Sequence, residues 1–127
     1  MKSISALSVV VIASGGALGA LTRWGMSLLI ASHVSSTFPW ATFTINIVGC
    51  VVIGLASAIV SKMQTLYLGQ FLIIGFIGAF TTFSTYSMEG INLIMTDKWA
   101  TGFAYIISSN ILGLIAVIIG LKIGKFI

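Results

Sequence analysis

The chain has 127 residues, 58% of them hydrophobic and only 6% charged, with a mean hydropathy of +1.18. Soluble globular domains carry about 25% charged residues, so the composition excludes an ordinary soluble fold and places the chain in a membrane. The net charge of +4 comes from Lys2, Arg23, Lys62, Lys98, Lys122 and Lys125, which are scattered and form no basic face of the kind nucleic acid requires.

A spanning helix needs roughly 20 apolar residues. Hydrophobic windows predict four of them, at 4–30, 41–60, 67–94 and 99–121, leaving only short connections. The expected fold is therefore an all-α integral membrane protein, one four-helix transmembrane domain over residues 1–127. Its place is the cell inner membrane, as a multi-pass protein.

The first window begins with Lys2 and an apolar run followed by small residues, a pattern shared with signal peptides. Its apolar character continues past Arg23 to Ile30, longer than a signal needs, so it reads as a retained span. Gly15 and Gly19 have the spacing of a helix-packing motif. Arg23 has three open roles: snorkelling to the interface, concentrating anions at a pore mouth, or pairing with Glu89.

Between the first two windows, "ASHVSSTFPW" holds the only proline and a solvated His33. On the second span Thr42 and Asn46 stand four residues apart on one face, with Cys50 and Gly54 continuing a small-residue pattern. An amide in hydrocarbon is costly without partners. Asn46 is either a donor to an anion or inter-helix glue, and the two readings stand level. Cys50 is the single cysteine, so neither an internal disulfide nor a thiolate metal site can form.

The third window contains "GFIGAFTTFSTYSMEG", residues 75–90. Five hydroxyl residues, Thr81, Thr82, Ser84, Thr85 and Ser87, fall within seven positions, just after Gly75 and Gly78. Glycines loosen a helix and hydroxyls compete for its backbone bonds, so a break at mid-membrane is predicted. Irregular backbone survives at that depth only if buried in protein or lining a wet cavity. Carbonyls freed near Gly78 and Thr81 can hold a small hard cation. Phe83 and Tyr86, one helical turn apart, can turn the positive edges of their rings toward an anion.

On the fourth span Tyr105 and Ser109 share a face that continues to Gly113, while Ser108 and Asn110 point elsewhere. Two hydroxyls in line suggest an anion track, with packing as the rival reading. Lys2, Lys62, Lys122 and Lys125 gather on one side of a four-span topology, and Trp24, Trp40 and Trp99 near the other. The positive-inside rule then favours cytoplasmic termini. With only two carboxylates, Glu89 and Asp97, and no nucleophile, metal-ligand cluster or phosphate loop, the inventory points away from an enzyme.

"GALGALTRW", "TFTINIVG" and "GFIGAFTTFSTYSMEG" together resemble the Fluc (CrcB) fluoride channels, and the resemblance covers nearly the whole chain. It implies an antiparallel, dual-topology homodimer with two fluoride pores and a structural central Na+. The family's Na+ carbonyls match Gly78 and Thr81, its pore aromatics Phe83 and Tyr86, its pore asparagine Asn46, and its fourth-span polar track Tyr105 and Ser109. Ser84 and Thr85 fall in the same pore motif, Arg23 in the first motif, and Thr42 and Glu89 are placed at a vestibule or in its support.

Three positions depart from the pattern: Ala79 where many members carry a second glycine, Tyr86 in place of the second phenylalanine, and Gly113 without a side-chain donor. An antiparallel pair also needs both orientations from one sequence, whereas the lysines lean modestly one way. The implied function is passive fluoride export from the cytoplasm. The alternatives are a small dimeric exporter of cationic compounds, whose membrane carboxylate has only Glu89 as a candidate, and a non-transporting membrane scaffold.

Overall fold

The computed structural model describes residues 5–127; Lys2 and Ile4, which entered the charge count and the first window, lie outside them. Among the described residues, four helical spans are long and apolar enough to cross a membrane. They comprise α1 (Ala6–His33), α2 (Trp40–Met63), a divided third span, and α5 (Trp99–Phe126). The third span consists of α3, residues 66–80, and α4 (Phe83–Met95). All four outrun the apolar windows. At 1.5 Å per residue, the 28 residues of α1 measure about 42 Å, so its ends pass beyond a hydrocarbon core of about 30 Å.

Because lipid gives apolar helices no reason to associate, close backbone approach must hold the bundle. Two pairs of helices achieve it with glycine. Gly15 and Gly19 of α1 lie directly on the backbone of Phe71 and Phe76, and Gly75 returns the contact, where a Cβ would meet Gly15 Cα at 3.1 Å. Gly54 of α2 lies on Val117 and Gly120 of α5, and Gly120 on Val51 and Leu55. At the end of this second pair, Lys62 Nζ donates to the Lys125 carbonyl at 3.0 Å. That contact places Lys62 and Lys125 together at one end of the bundle, with Lys122 one turn earlier on α5.

At the other end, Phe38 from the connection packs on Trp40, Phe43 and Tyr105, with ring centroids 4.6, 5.3 and 5.4 Å away. Ile45, Ile77, Phe80, Leu93 and Tyr105 form the core between the helices. Leucines and isoleucines such as Leu18, Leu114 and Ile118 cover the outside, as a lipid-facing surface requires.

Most of α3 is wound as a π-helix, Gln70–Ile77, whose last turn is closed by the Gly78 N–H reaching Ile73 O five residues back. The wider winding seats Gly75 against α1. Here the structure refines the expected position of the break. Gly75 and Gly78 stay helical, and the helix parts only at Thr81 and Thr82, which are extended with ψ 158° and 108°.

Candidate functional site

The break is held open from α2. Asn46 Oδ1 accepts the Thr82 N–H at 2.9 Å while Asn46 Nδ2 donates to the Thr82 carbonyl at 3.2 Å. The amide side chain thus pairs with both the N–H and the C=O of one residue, as a strand neighbour would. In a continuous helix the Thr82 N–H would return to the Gly78 carbonyl. Its diversion to Asn46 leaves that carbonyl without its helical donor. The Thr85 N–H, which would return to Thr81, instead donates to Thr82 Oγ1 at 3.3 Å, capping the first turn of α4. The two carbonyls expected from the sequence to be freed therefore both lose their i+4 donors.

Other residues fit themselves to the break. Thr81 places its methyl group on Gly49 of α2, where any larger residue would collide with it. Arg23 Nε donates to the Ala79 carbonyl at 3.1 Å in the last turn of α3, a cation at a helix C-terminus where the macrodipole favours one. Arg23 and Glu89 do not pair. The Glu89 carboxylate is taken on both oxygens, by Thr42 Oγ1 at 2.8 Å and by Tyr105 Oη at 2.8 Å. Thr42 and Tyr105 are 6% and 0% exposed, so Glu89 ties α2 and α5 to α4 in the bundle interior.

Tyr105 therefore donates its hydroxyl proton to Glu89. Gly113 faces Cys50, 3.5 Å from where its Cβ would stand, and serves helix packing. Ser109 Oγ is buried and without a partner among the described residues. Ser109 lines a cavity of about 130 Å³ together with Asn46, Phe83, Tyr86 and Asn110. The rings of Phe83 and Tyr86 are tilted by 42° with centroids 5.7 Å apart, and Tyr86 continues to Tyr105 at 5.3 Å. A second cavity of about 210 Å³ lies behind Asn46, between Gly49, Cys50, Ile53 and the break residues Thr81 to Phe83.

Asn110 belongs to this site, although its position on α5 seemed to turn it away. Its Nδ2 donates to Tyr86 Oη and to the Ile106 carbonyl, each at 2.7 Å. The signal was present in the sequence, since an amide at the middle of a span needs partners wherever it points. Phe38 also went unread, because a connecting segment gives no periodicity from which to infer that its ring covers Tyr105.

The outer face of the break is open in the single chain. Gly78, Ser84 and Thr85 are exposed, and Phe83 is 79% exposed. Lipid does not tolerate irregular backbone and hydroxyls at its centre, so such a face is either covered by protein or borders a water-filled cavity.

Comparison with known proteins supplies relatives. The model of the family described as CrcB-like protein, Camphor Resistance (CrcB), matches residues 10–121. A protein of Chloroflexus aurantiacus named fluoride-specific ion channel FluC is 38% identical over 121 residues, covering 94% of this chain and 96% of its own. A Flavobacterium psychrophilum protein of the same name is 44% identical over 116 residues, covering 90% and 94%. One from Paracoccus denitrificans is 38% identical over 114 residues, covering 90% and 91%.

Proposed function

The chain belongs to the CrcB-like family, and from that premise we propose that it is a passive, fluoride-selective channel that lets the ion leave the cytoplasm. It is a multi-pass membrane protein with four spans, and in a bacterium that membrane is the plasma membrane. Its relatives are named as ion channels, a class without enzymatic turnover, and the chain is not an enzyme.

The observation that carries the reading is the opened third span, pinned by Asn46 beside a small cavity rimmed by two aromatic rings. An ion path must bind well enough to admit an ion and weakly enough to release it. The ring edges of Phe83 and Tyr86 offer weak positive charge without a trapping cation. Asn46 has spent one N–H on Thr82 and keeps a second for the ion. Ser109 Oγ adds an unspent hydroxyl, and Ser84 and Thr85 line the approach on the open face. Arg23, Thr42 and Glu89 act as supports that fix the ends of the broken span. A path this narrow strips an ion of water and favours the smaller halide.

The exposed break is covered, in this reading, by a second copy of the chain in antiparallel orientation, giving two pores per dimer. The carbonyls of Gly78 and Thr81, relieved of their helical donors, suit a hard monovalent cation, which takes oxygen ligands. Two copies would supply four such carbonyls to a structural Na+ on the dimer axis. That ion would neutralise the converging carbonyl dipoles, and the conduction path does not pass through it.

The test is efflux from proteoliposomes loaded with fluoride or chloride. Rapid fluoride loss with chloride retained is expected. Equal rates, or no fluoride loss, would overturn the proposal.

A further inference from the structure

Tyr86 differs from a phenylalanine by one oxygen, and the surroundings of that oxygen are specific. A phenol has one proton to donate and two lone pairs. Asn110 Nδ2 donates to Tyr86 Oη at 2.7 Å and so fills one lone pair. The same amide donates to the Ile106 carbonyl at 2.7 Å. The Tyr86 proton is directed at that carbonyl too, but at 3.4 Å, far beyond the usual 2.7–2.8 Å of an O–H···O bond. Asn110 therefore holds the stronger claim on Ile106 and leaves the phenol proton almost unspent.

Tyr86 borders the cavity of about 130 Å³ that it shares with Asn46, Phe83, Ser109 and Asn110. Ser109 lines the same cavity, and its Oγ is buried and unpartnered among the described residues. A buried hydroxyl without a partner is costly, and two poorly satisfied hydroxyl protons on one small cavity call for a shared acceptor. We infer that Asn110 is a positioning residue that keeps the Tyr86 hydroxyl a donor, so that Tyr86 and Ser109 form a two-hydroxyl subsite for a small dehydrated anion. The inference rests on the proposed channel function and deepens it. It assigns Asn110 a role that its place outside the Tyr105 face does not suggest. Removing Asn110 would hand Ile106 O to the Tyr86 proton and turn the donor away from the cavity, which makes Asn110→Leu equivalent to Tyr86→Phe.

The experiment measures initial fluoride efflux against internal fluoride for the unaltered protein, Tyr86→Phe, Asn110→Leu and the double variant, separating half-saturation from maximal rate. Each single change is expected to raise the half-saturating concentration by about tenfold, as loss of one hydrogen bond to an anion would. The double variant should match either single one. In detergent, the ring-carbon NMR signal of Tyr86, assigned by its absence in Tyr86→Phe, should shift with fluoride in the unaltered protein and not in Asn110→Leu. Effects that multiply in the double variant, or a change in maximal rate alone, overturn the inference. If Asn110→Leu fails to assemble, Asn110→Ala replaces it under the same criteria. Vesicles of unaltered protein that pass no fluoride would refute the channel reading and the subsite together. Fluoride passage with independent single effects refutes the subsite only.

Discussion

Replacing Asn46 with leucine removes both bonds that hold the third span open while keeping the same number and branching of side-chain heavy atoms. Thr82 would lose its acceptor at 2.9 Å and its donor at 3.2 Å. Each peptide group left unpaired costs about 1–3 kcal/mol, which gives ~2–6 kcal/mol if Thr82 stays where it is. It need not stay there. Hydrogen bonds inside membrane proteins average about 0.6 kcal/mol in mutant cycles and reach about 1.7, because freed groups find other partners. Here the partner is at hand, since the Thr82 N–H can return to the Gly78 carbonyl and repair the helix. The expected net loss is therefore about 1–3 kcal/mol, accompanied by closure of the break. Unfolding in mixed micelles should show that loss, hydrogen exchange should show the Thr82 amide more protected, and fluoride efflux should fall by at least tenfold. Asn46→Leu protein that conducts within twofold of the original, with Thr82 exchange unchanged, would refute the reasoning.

Gly120→Ala should destabilise the protein by about 1–3 kcal/mol, because its Cβ would stand 2.9 Å from Leu55 N and against the Val51 carbonyl. Gly25→Ala, with nothing within 4 Å of its Cβ, should cost nothing in the same unfolding assay. Glu89→Gln replaces one acceptor oxygen with an NH2 donor that faces a hydroxyl already donating, that of Thr42 or Tyr105. Loss of one charge-assisted bond should cost about 1.5–3 kcal/mol, without creating or abolishing proton-coupled transport of a lipophilic cation. Exchange of Na+ for N-methylglucamine should weaken the dimer on size-exclusion chromatography and reduce fluoride flux; unchanged values would show that the Gly78 and Thr81 carbonyls hold no cation.

The spans were legible because hydropathy is a property of long windows, and the flanking polar turns that lengthen each helix were not, because backbone hydrogen bonding continues past the apolar stretch. Glycine spacing announced close packing but not its pairing. Only in three dimensions does α1 meet α3 through Gly15 and Gly75, and α2 meet α5 through Gly54 and Gly120. At the break, the local competition of hydroxyls with backbone could be read from residues 81–87. The displacement to Thr81 and Thr82 is a tertiary effect, since it depends on Asn46 reaching across from α2. On the fourth span, counting faces places residues but does not give their contacts. Tyr105 lies on the expected face yet binds Glu89, and Asn110 lies off it yet meets Tyr86, because α4 crosses α5 between the two faces.

The account turns on two opened spans meeting at the centre of an antiparallel pair. A Cβ at Gly78 has room, with Ile73 O at 3.6 Å the nearest atom, so Gly78→Cys in a Cys50→Ala background tests it by oxidative cross-linking in native membranes. A disulfide-linked dimer that forms at Gly78, and not at the lipid-facing control Leu114→Cys, is the predicted result. Equal yields at both positions, or no dimer at Gly78, would contradict the account.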